Sequence, residues 1–336
     1  MKRINIFYIS ILLFTYSCIR PEIQGNTPQD NFESLWKIID EQYCFLDYKN
    51  EEYGLDWDEI HNRYAKRITS RMSDEALFEV LSEMVNELRD GHVNLSSAMG
   101  TSQYRSWFDS YPMNFDDSIQ RNYLGKDYII SSGLRYNILE DNIGYIYCGS
   151  FSNGIGNGNL DMLLLKMELC NGIIIDVRNN GGGNLTTAQR LAARFTEEKM
   201  LTSYIYHKTG PGHHDFSKPQ PVYLEPSNSI RWQKKVVVLA NRSTFSAAND
   251  FINIMSQLPN ATIVGDKSGG GSGLPFSSEI PNGWSIRFSA SPMVDPNMNH
   301  LEFGISPDVK VDMNYLDMCR GKDTIIETAI QIIRGY

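Results

Sequence analysis

Two apolar runs constrain this chain more than any other feature: Gly172-Ile-Ile-Ile-Asp-Val177 and Val236-Val-Val-Leu-Ala240. Neither is broken by regular polar alternation. Both faces of each must therefore be covered, which is the condition of a central strand in a layered sheet. Each run leads through a short turn into a helical stretch, at 186–197 and 244–257. Further β-rich runs at 127–132, 143–148, 201–207, 262–264 and 284–289, with a last helical stretch at 323–334, continue the pattern. Strands alternating with helices predict an α/β domain with a partly parallel sheet.

Upstream the period changes. Phe32, Leu35, Trp36, Ile38 and Ile39 recur at helical spacing, as do Ile60, Tyr64 and Ile68. The stripe Ala76, Leu77, Val80, Leu81, Met84, Val85, Leu88 is the clearest, with Ser73-Asp74 ahead of it as the expected cap. These faces predict the core of a small helical subdomain over 30–95, followed by the α/β domain at 96–336. A length of 336 residues and 41% apolar content suit one large domain with a small accessory one.

The first residues read differently. Lys2-Arg3 precedes an apolar stretch, Ile4 to Tyr16, that is short for a membrane span and suits a secretory leader. It ends in Ser17-Cys18, which resembles a bacterial lipobox. That pattern implies cleavage before Cys18, lipidation of its sulfur, and a tether over 19–29. The expectation is an exported protein, in the periplasm or at the outer membrane and held to it by lipid. A plain signal peptide that happens to hold a cysteine is the alternative. The net charge of -9, with no Lys/Arg cluster, argues against nucleic acid as a partner. Cys44, Cys148, Cys170 and Cys319 lack metal or redox spacing and are expected as buried free thiols.

Three places combine unusual backbone with reactive side chains. The first run ends in Asn179-Asn-Gly-Gly-Gly183. Glycines between a strand and a helix let backbone N–H groups face an anion, although a tight turn serves as well. The second run leads to Ser246, followed by Ala247-Ala248. Small neighbours leave its hydroxyl approachable at the start of a helix, but on the residues alone the capping reading is favoured, since serine is common there. The third is Asp90-Gly-His92, past the last amphipathic helix, where Gly91 suits a helix C-cap. His213-His214 sits in a glycine-rich stretch and is expected in a solvated loop.

Taken in order, these segments resemble the tail-specific protease superfamily, which includes C-terminal processing proteases and the catalytic core of tricorn protease. Asp176-Val-Arg-Asn-Asn-Gly-Gly-Gly183 is similar to its D-L-R-x-N-x-G-G loop, and Thr244-Phe-Ser-Ala-Ala-Asn249 to T-x-S-A-x-E. Gly265-Asp-Lys-Ser-Gly-Gly-Gly271 and Gly304-Ile-Ser-Pro-Asp308 resemble its later turns, and Gly144-Tyr-Ile-Tyr-Cys-Gly-Ser-Phe151 the strand before the core.

The resemblance implies a crotonase/ClpP-like catalytic fold and a serine peptidase acting on peptides or proteins without metal or cofactor. Ser246 would be the nucleophile, with the N–H groups of Gly182 or Gly183 and of Ala247 as oxyanion donors. Members with a Ser–Lys dyad carry lysine where this chain has Gly271; Lys267 lies four residues off. The tricorn-like branch instead uses a histidine and a late glutamate, which fall on His92 and Glu302. Such a pair implies activity rising through roughly pH 6–7. Only 47 residues (96–142) fill the place of a PDZ domain, so none is expected. Two other classes share the fold: modules that bind hydrophobic ligands or peptides without catalysis, and crotonase-type acyl-CoA enzymes. Retention of Ser246 with His92 disfavours the first, and the export signal disfavours the second.

Overall fold

The computed structural model of the chain describes residues 25–335. The apolar leader, Cys18 and most of the 19–29 tether lie outside the described residues. The main sheet has seven strands, in the order Val309–Lys310, Ala261–Gly265, Val236–Ala240, Gly172–Asp176, Ile143–Cys148, Leu134–Leu139, Ile129–Ser131. The first five are parallel and the last two continue the sheet antiparallel.

The two apolar runs are its middle strands, and the pleat divides them between two cores. Ile173, Ile175, Val236 and Val238 pack under the helices Asn157–Lys166, Leu185–Ala192 and Ala247–Ser256. Ile174, Val237 and Leu239 face the other way, under the helix Thr324–Arg334. Each such side chain contributes about 1.5–3 kcal/mol by leaving water, so a polar residue in either run would be costly. Asp176 and Arg178, wholly buried at the end of one run, are the exception. Arg178 donates to Asp176 and to Asp323, and Asp323 also caps the last helix through the N–H groups of Ile325 and Ile326. This ion cluster fixes where the glycine loop begins.

The helices Pro28–Gln42, Trp57–Ala65 and Asp74–Asn86 carry the expected stripes, Ser73 caps the last of them, and a further helix, Leu46–Tyr53, is not expected from the sequence. Their apolar faces do not form a core alone. They pack with Ile286 and Phe288 of a separate antiparallel sheet, ordered Leu274–Glu279, Ser285–Ser291, Asn94–Ser97, Gly100–Thr101, and with Ile280 and Trp284 of the turn between its first two strands. The strand Asn94–Ser97 pairs Leu95 with Ile286 and so ties the end of the helical region to a late hairpin. That strand, with 134–139, 220–224 and 274–279, is not expected from the sequence. Asn94-Leu-Ser-Ser97 has one apolar side chain and shows no period of its own.

The remainder of segment 96–142 forms two short helices, Ser106–Asp109 and Asp117–Leu124, and the two antiparallel edge strands. Three of the cysteines are buried thiols, but Cys319, at the end of an exposed helical turn, is not.

Candidate active site

The glycine loop and the turn before Ala247–Ser256 meet at the ends of the two middle strands. Between them Ser246 sits half-buried with φ 57° and ψ -122°, a backbone region that favours glycine. Such a conformation costs roughly 1–3 kcal/mol and persists only where its surroundings over-determine it. Here they do. Phe245 N–H donates to Asn180 O at 2.9 Å, Ser246 N–H to Gly270 O at 2.8 Å, and Gly269 N–H to Thr244 O at 2.7 Å. The turn is hydrogen-bonded between two glycine loops.

The helix predicted from residue 244 begins at Ala247, and Ser246 is its N-cap residue rather than part of its first turn. The Ser246 hydroxyl makes no capping bond. It faces His92 Nε2 at 3.0 Å instead. The Ser246 hydroxyl is therefore not a helix cap, and its side-chain contact is with an imidazole nitrogen that can accept its proton.

His92 is buried, 3% exposed. Its backbone N–H donates to Asp90 Oδ1 at 2.7 Å, and Asp90 Oδ2 accepts from Tyr43 Oη and Ser289 Oγ, each at 2.9 Å. Helix and late hairpin thus hold the loop that presents the histidine. Gly91 is not a helix cap: Arg89, at φ 47°, takes the left-handed position. Gly91 is small because a Cβ there would stand 2.9 Å from both Phe245 Cζ and Trp107 Nε1. Those two rings stack at 4.4 Å beside the imidazole.

Burial lowers the His92 pKa to about 4, with Asp90 opposing and Arg287 and Lys49 reinforcing the fall. The ring is thus neutral near pH 7 and able to accept a proton at Nε2. This shifts the acid limb expected at pH 6–7 downward.

Glu302 enters the same buried network by a different contact from the one the resemblance implies. Lys49 Nζ lies 3.3 Å from Glu302 Oε1, and Ser272 N–H donates to Oε2 at 3.1 Å. The imidazole Nδ1 has no hydrogen-bond partner among the described residues. Burial, with Asp90 beside it, raises the Glu302 pKa to about 8 despite Lys49. Asp90 goes the other way: burial would raise it, but Lys49, His92 and its hydrogen bonds hold it below the ordinary range. Asp90 is therefore the carboxylate whose charge His92 feels. It was available in the sequence, two residues before the histidine. Lys49 was not, since nothing in its polar helix Leu46–Tyr53 marks a buried cation.

The glycine loop distinguishes its two candidate donors. Gly182 N–H is taken by Asn180 Oδ1 at 2.9 Å. No hydrogen bond among the described residues takes up the N–H of Gly183, nor that of Ala247, whose place at a helix start leaves it without a carbonyl one turn back. Both residues line one cavity of about 310 Å³ with Ser246. Gly182 serves by its lack of a side chain: a Cβ would stand 2.8 Å from Ser246 Cβ and 2.9 Å from Ala247 N. Lys267 lines a separate cavity with Glu302 and Phe245. His213 and His214 lie in a loop, the second with its side chain 89% exposed, and they reach Asp40 and Asp47 of the helical region, each at 2.8 Å.

Nucleophile, neutral base and two unoccupied N–H donors around one cavity can carry out acyl transfer. Comparison with known proteins agrees. The profile of peptidase family S41 matches residues 142–311, and that of the tricorn protease C1 domain matches residues 25–86. A Parabacteroides merdae protein assigned as a peptidase is 50% identical, with a TM-score of 0.88 over 92% of this chain and 97% of that one. Mature CPAF in complex with lactacystin shares the fold, at TM-score 0.72 and 12% identity over 94% of this chain and 100% of that one. The carboxy-terminal processing protease CtpA of Bacillus subtilis is 24% identical over 179 residues, 53% of this chain but only 35% of that protein. The chain belongs to peptidase family S41, in the tail-specific protease superfamily, and is a serine peptidase.

Proposed function

We propose that the chain cleaves peptide bonds through an acyl-enzyme on Ser246, with His92 as general base and then general acid. The observation that carries this reading is the 3.0 Å contact between His92 Nε2 and a serine hydroxyl excused from capping. His92 takes the hydroxyl proton as Ser246 Oγ bonds to the scissile carbonyl carbon, and the electron pair of the carbonyl moves to oxygen. The N–H groups of Gly183 and Ala247 face that oxyanion, each donor contributing about 3 kcal/mol. Collapse breaks the C–N bond, and the amine leaves with the proton from His92. Water then repeats the sequence on the ester. Asp90 stabilises the imidazolium electrostatically. Glu302, held by Lys49 and Ser272, sets the charge balance around Asp90 and the floor under the site.

The substrates on this reading are proteins or peptides of the cell envelope, reached by export and by a lipid on Cys18. The support is the leader sequence alone. A Cys18→Ala variant that remains in the membrane fraction would remove the anchor from the proposal.

Labelling with a fluorophosphonate probe tests the chemistry. Mass spectrometry should place the adduct on Ser246, and both Ser246→Ala and His92→Ala should abolish it. A folded wild type that takes no label would favour the non-catalytic binding module. A label that survives His92→Ala would remove the histidine from its role.

A further inference from the structure

The cavity beside Ser246 has apolar walls from Leu185, Leu274, Pro275, Met293 and Leu301, and one acid, Asp250. Asp250 stands one turn into the helix that begins at Ala247, so it is on the wall nearest the nucleophile. It is 6% exposed. Gln189 hydrogen-bonds to its carboxyl, but Oδ2 has no partner among the described residues. An ionised carboxylate in an apolar wall with half its hydrogen-bonding capacity unused is costly unless something else completes it. No cation of the protein does: Arg287, the one basic residue lining this cavity, is exposed on its strand and makes no ion pair among the described residues.

Resting on the acyl-enzyme reading above, we propose that this cavity is the pocket for the side chain on the acyl side of the cleaved bond. Asp250 selects there for an apolar stem ending in a cation, that is, lysine or arginine. The placement follows from the site. A carbonyl carbon at Ser246 Oγ, with its oxygen toward Gly183 and Ala247, puts its own side chain into the cavity that those three residues line. The stem of a lysine or arginine lies along the leucines and methionine, and its head completes the Asp250 carboxylate. A leucine in the same place covers the carboxylate and supplies nothing, so the pocket penalises it. Burial raises the Asp250 pKa to about 6, which still leaves the acid ionised at pH 8.

The test uses the full mature chain and peptides that differ only in that residue: lysine, arginine or leucine. At pH 8 the wild type should show kcat/KM for lysine and arginine at least about tenfold above leucine. Asp250→Asn should lose that preference and Asp250→Leu should reverse it. Equal rates on all three peptides, or a preference that survives Asp250→Asn in a folded variant, would overturn the assignment. Binding of the same uncleaved peptides to Ser246→Ala gives a readout without chemistry, and tighter binding of lysine than leucine is expected there too. If Ser246 of the wild type takes no fluorophosphonate while that binding order holds, the catalytic reading fails and the pocket stands. Equal binding with normal labelling sinks the pocket alone.

Discussion

Lys49 and Glu302 are 253 positions apart in the chain and meet as an ion pair with 0% and 3% of their side chains exposed. Lys49 also donates to the carbonyls of Leu88 and Arg89, the residues that lead into the histidine loop. One cation therefore joins the last amphipathic helix, the histidine loop and the late glutamate. Where Glu302 is ionised, above its pKa of about 8, breaking this buried pair from one side costs on the order of 3–5 kcal/mol, because the partner is left charged and dry.

Lys49→Met should lose stability in that range, and the loss should grow with pH. The folded pKa of Glu302, raised to about 8, exceeds its unfolded value. Its contribution is complete below about pH 4.5 and fades as pH rises through 8. Removing the lysine raises that pKa further. Urea unfolding at pH 5, 7 and 9 should show the widest gap between wild type and Lys49→Met at pH 9. Adding Glu302→Gln should flatten the dependence. Parallel curves at all three values would contradict this.

For activity the relevant shift is that of His92. With a folded pKa near 4 in place of about 6.5, the acid limb of kcat/KM is expected between pH 4 and 5. The same shift makes stability fall as pH drops from 6.5 toward 4, because the unfolded chain takes up a proton that the folded one refuses. A profile recorded with circular dichroism separates the two. Arg287→Gln removes a positive charge that depresses the ring, so the limb should move up by less than one unit, given the exposure of Arg287. A limb at 6.5 in the wild type would show that the ring is wetter than its burial implies.

Ser246 holds its backbone at a glycine angle. Ser246→Gly should therefore be more stable than Ser246→Ala by about 1 kcal/mol, while both are inactive. Thermal melts of the two variants decide it. Equal melting temperatures would mean that the turn carries no strain.

Gly182→Ala addresses the oxyanion loop. Its methyl would press on Ser246 Cβ and Ala247 N, moving a donor that must stay within hydrogen-bond reach. We expect kcat to fall about 10²–10³-fold with KM little changed. A rise in KM alone would place Gly182 in substrate binding instead.

Much of this site was legible in the sequence because its parts are local. The middle strands announce themselves by unbroken apolar runs, and Ser246, Gly183 and Ala247 lie within a few residues of their ends. His92 was found by its short motif and not by any period. What stayed hidden depends on partners far along the chain. Lys49 sits in a helix with hardly any amphipathic character, so its burial could not be read before Glu302 was seen beside it. Asn94–Ser97 is a strand because Ser285–Ser291, nearly 200 positions on, and the short strand Gly100–Thr101 pair with its two edges. Gly91 looked like a cap, and only the approach of Phe245 shows why a side chain is refused there. The left-handed angle of Ser246 leaves no mark in composition, since glycine, the residue that would signal it, cannot be a nucleophile.

The nucleophile turn is closed by the carbonyl of Gly270, and the acid that holds the histidine loop is closed by the hydroxyl of Ser289. During synthesis Ser246 and His92 are both made well before those partners exist. A nascent or truncated chain that stops short of residue 270 contains both reactive residues and neither geometry. On the catalytic reading proposed above, such a chain should be inactive, because the contacts that set both residues come from the last fifth of the sequence.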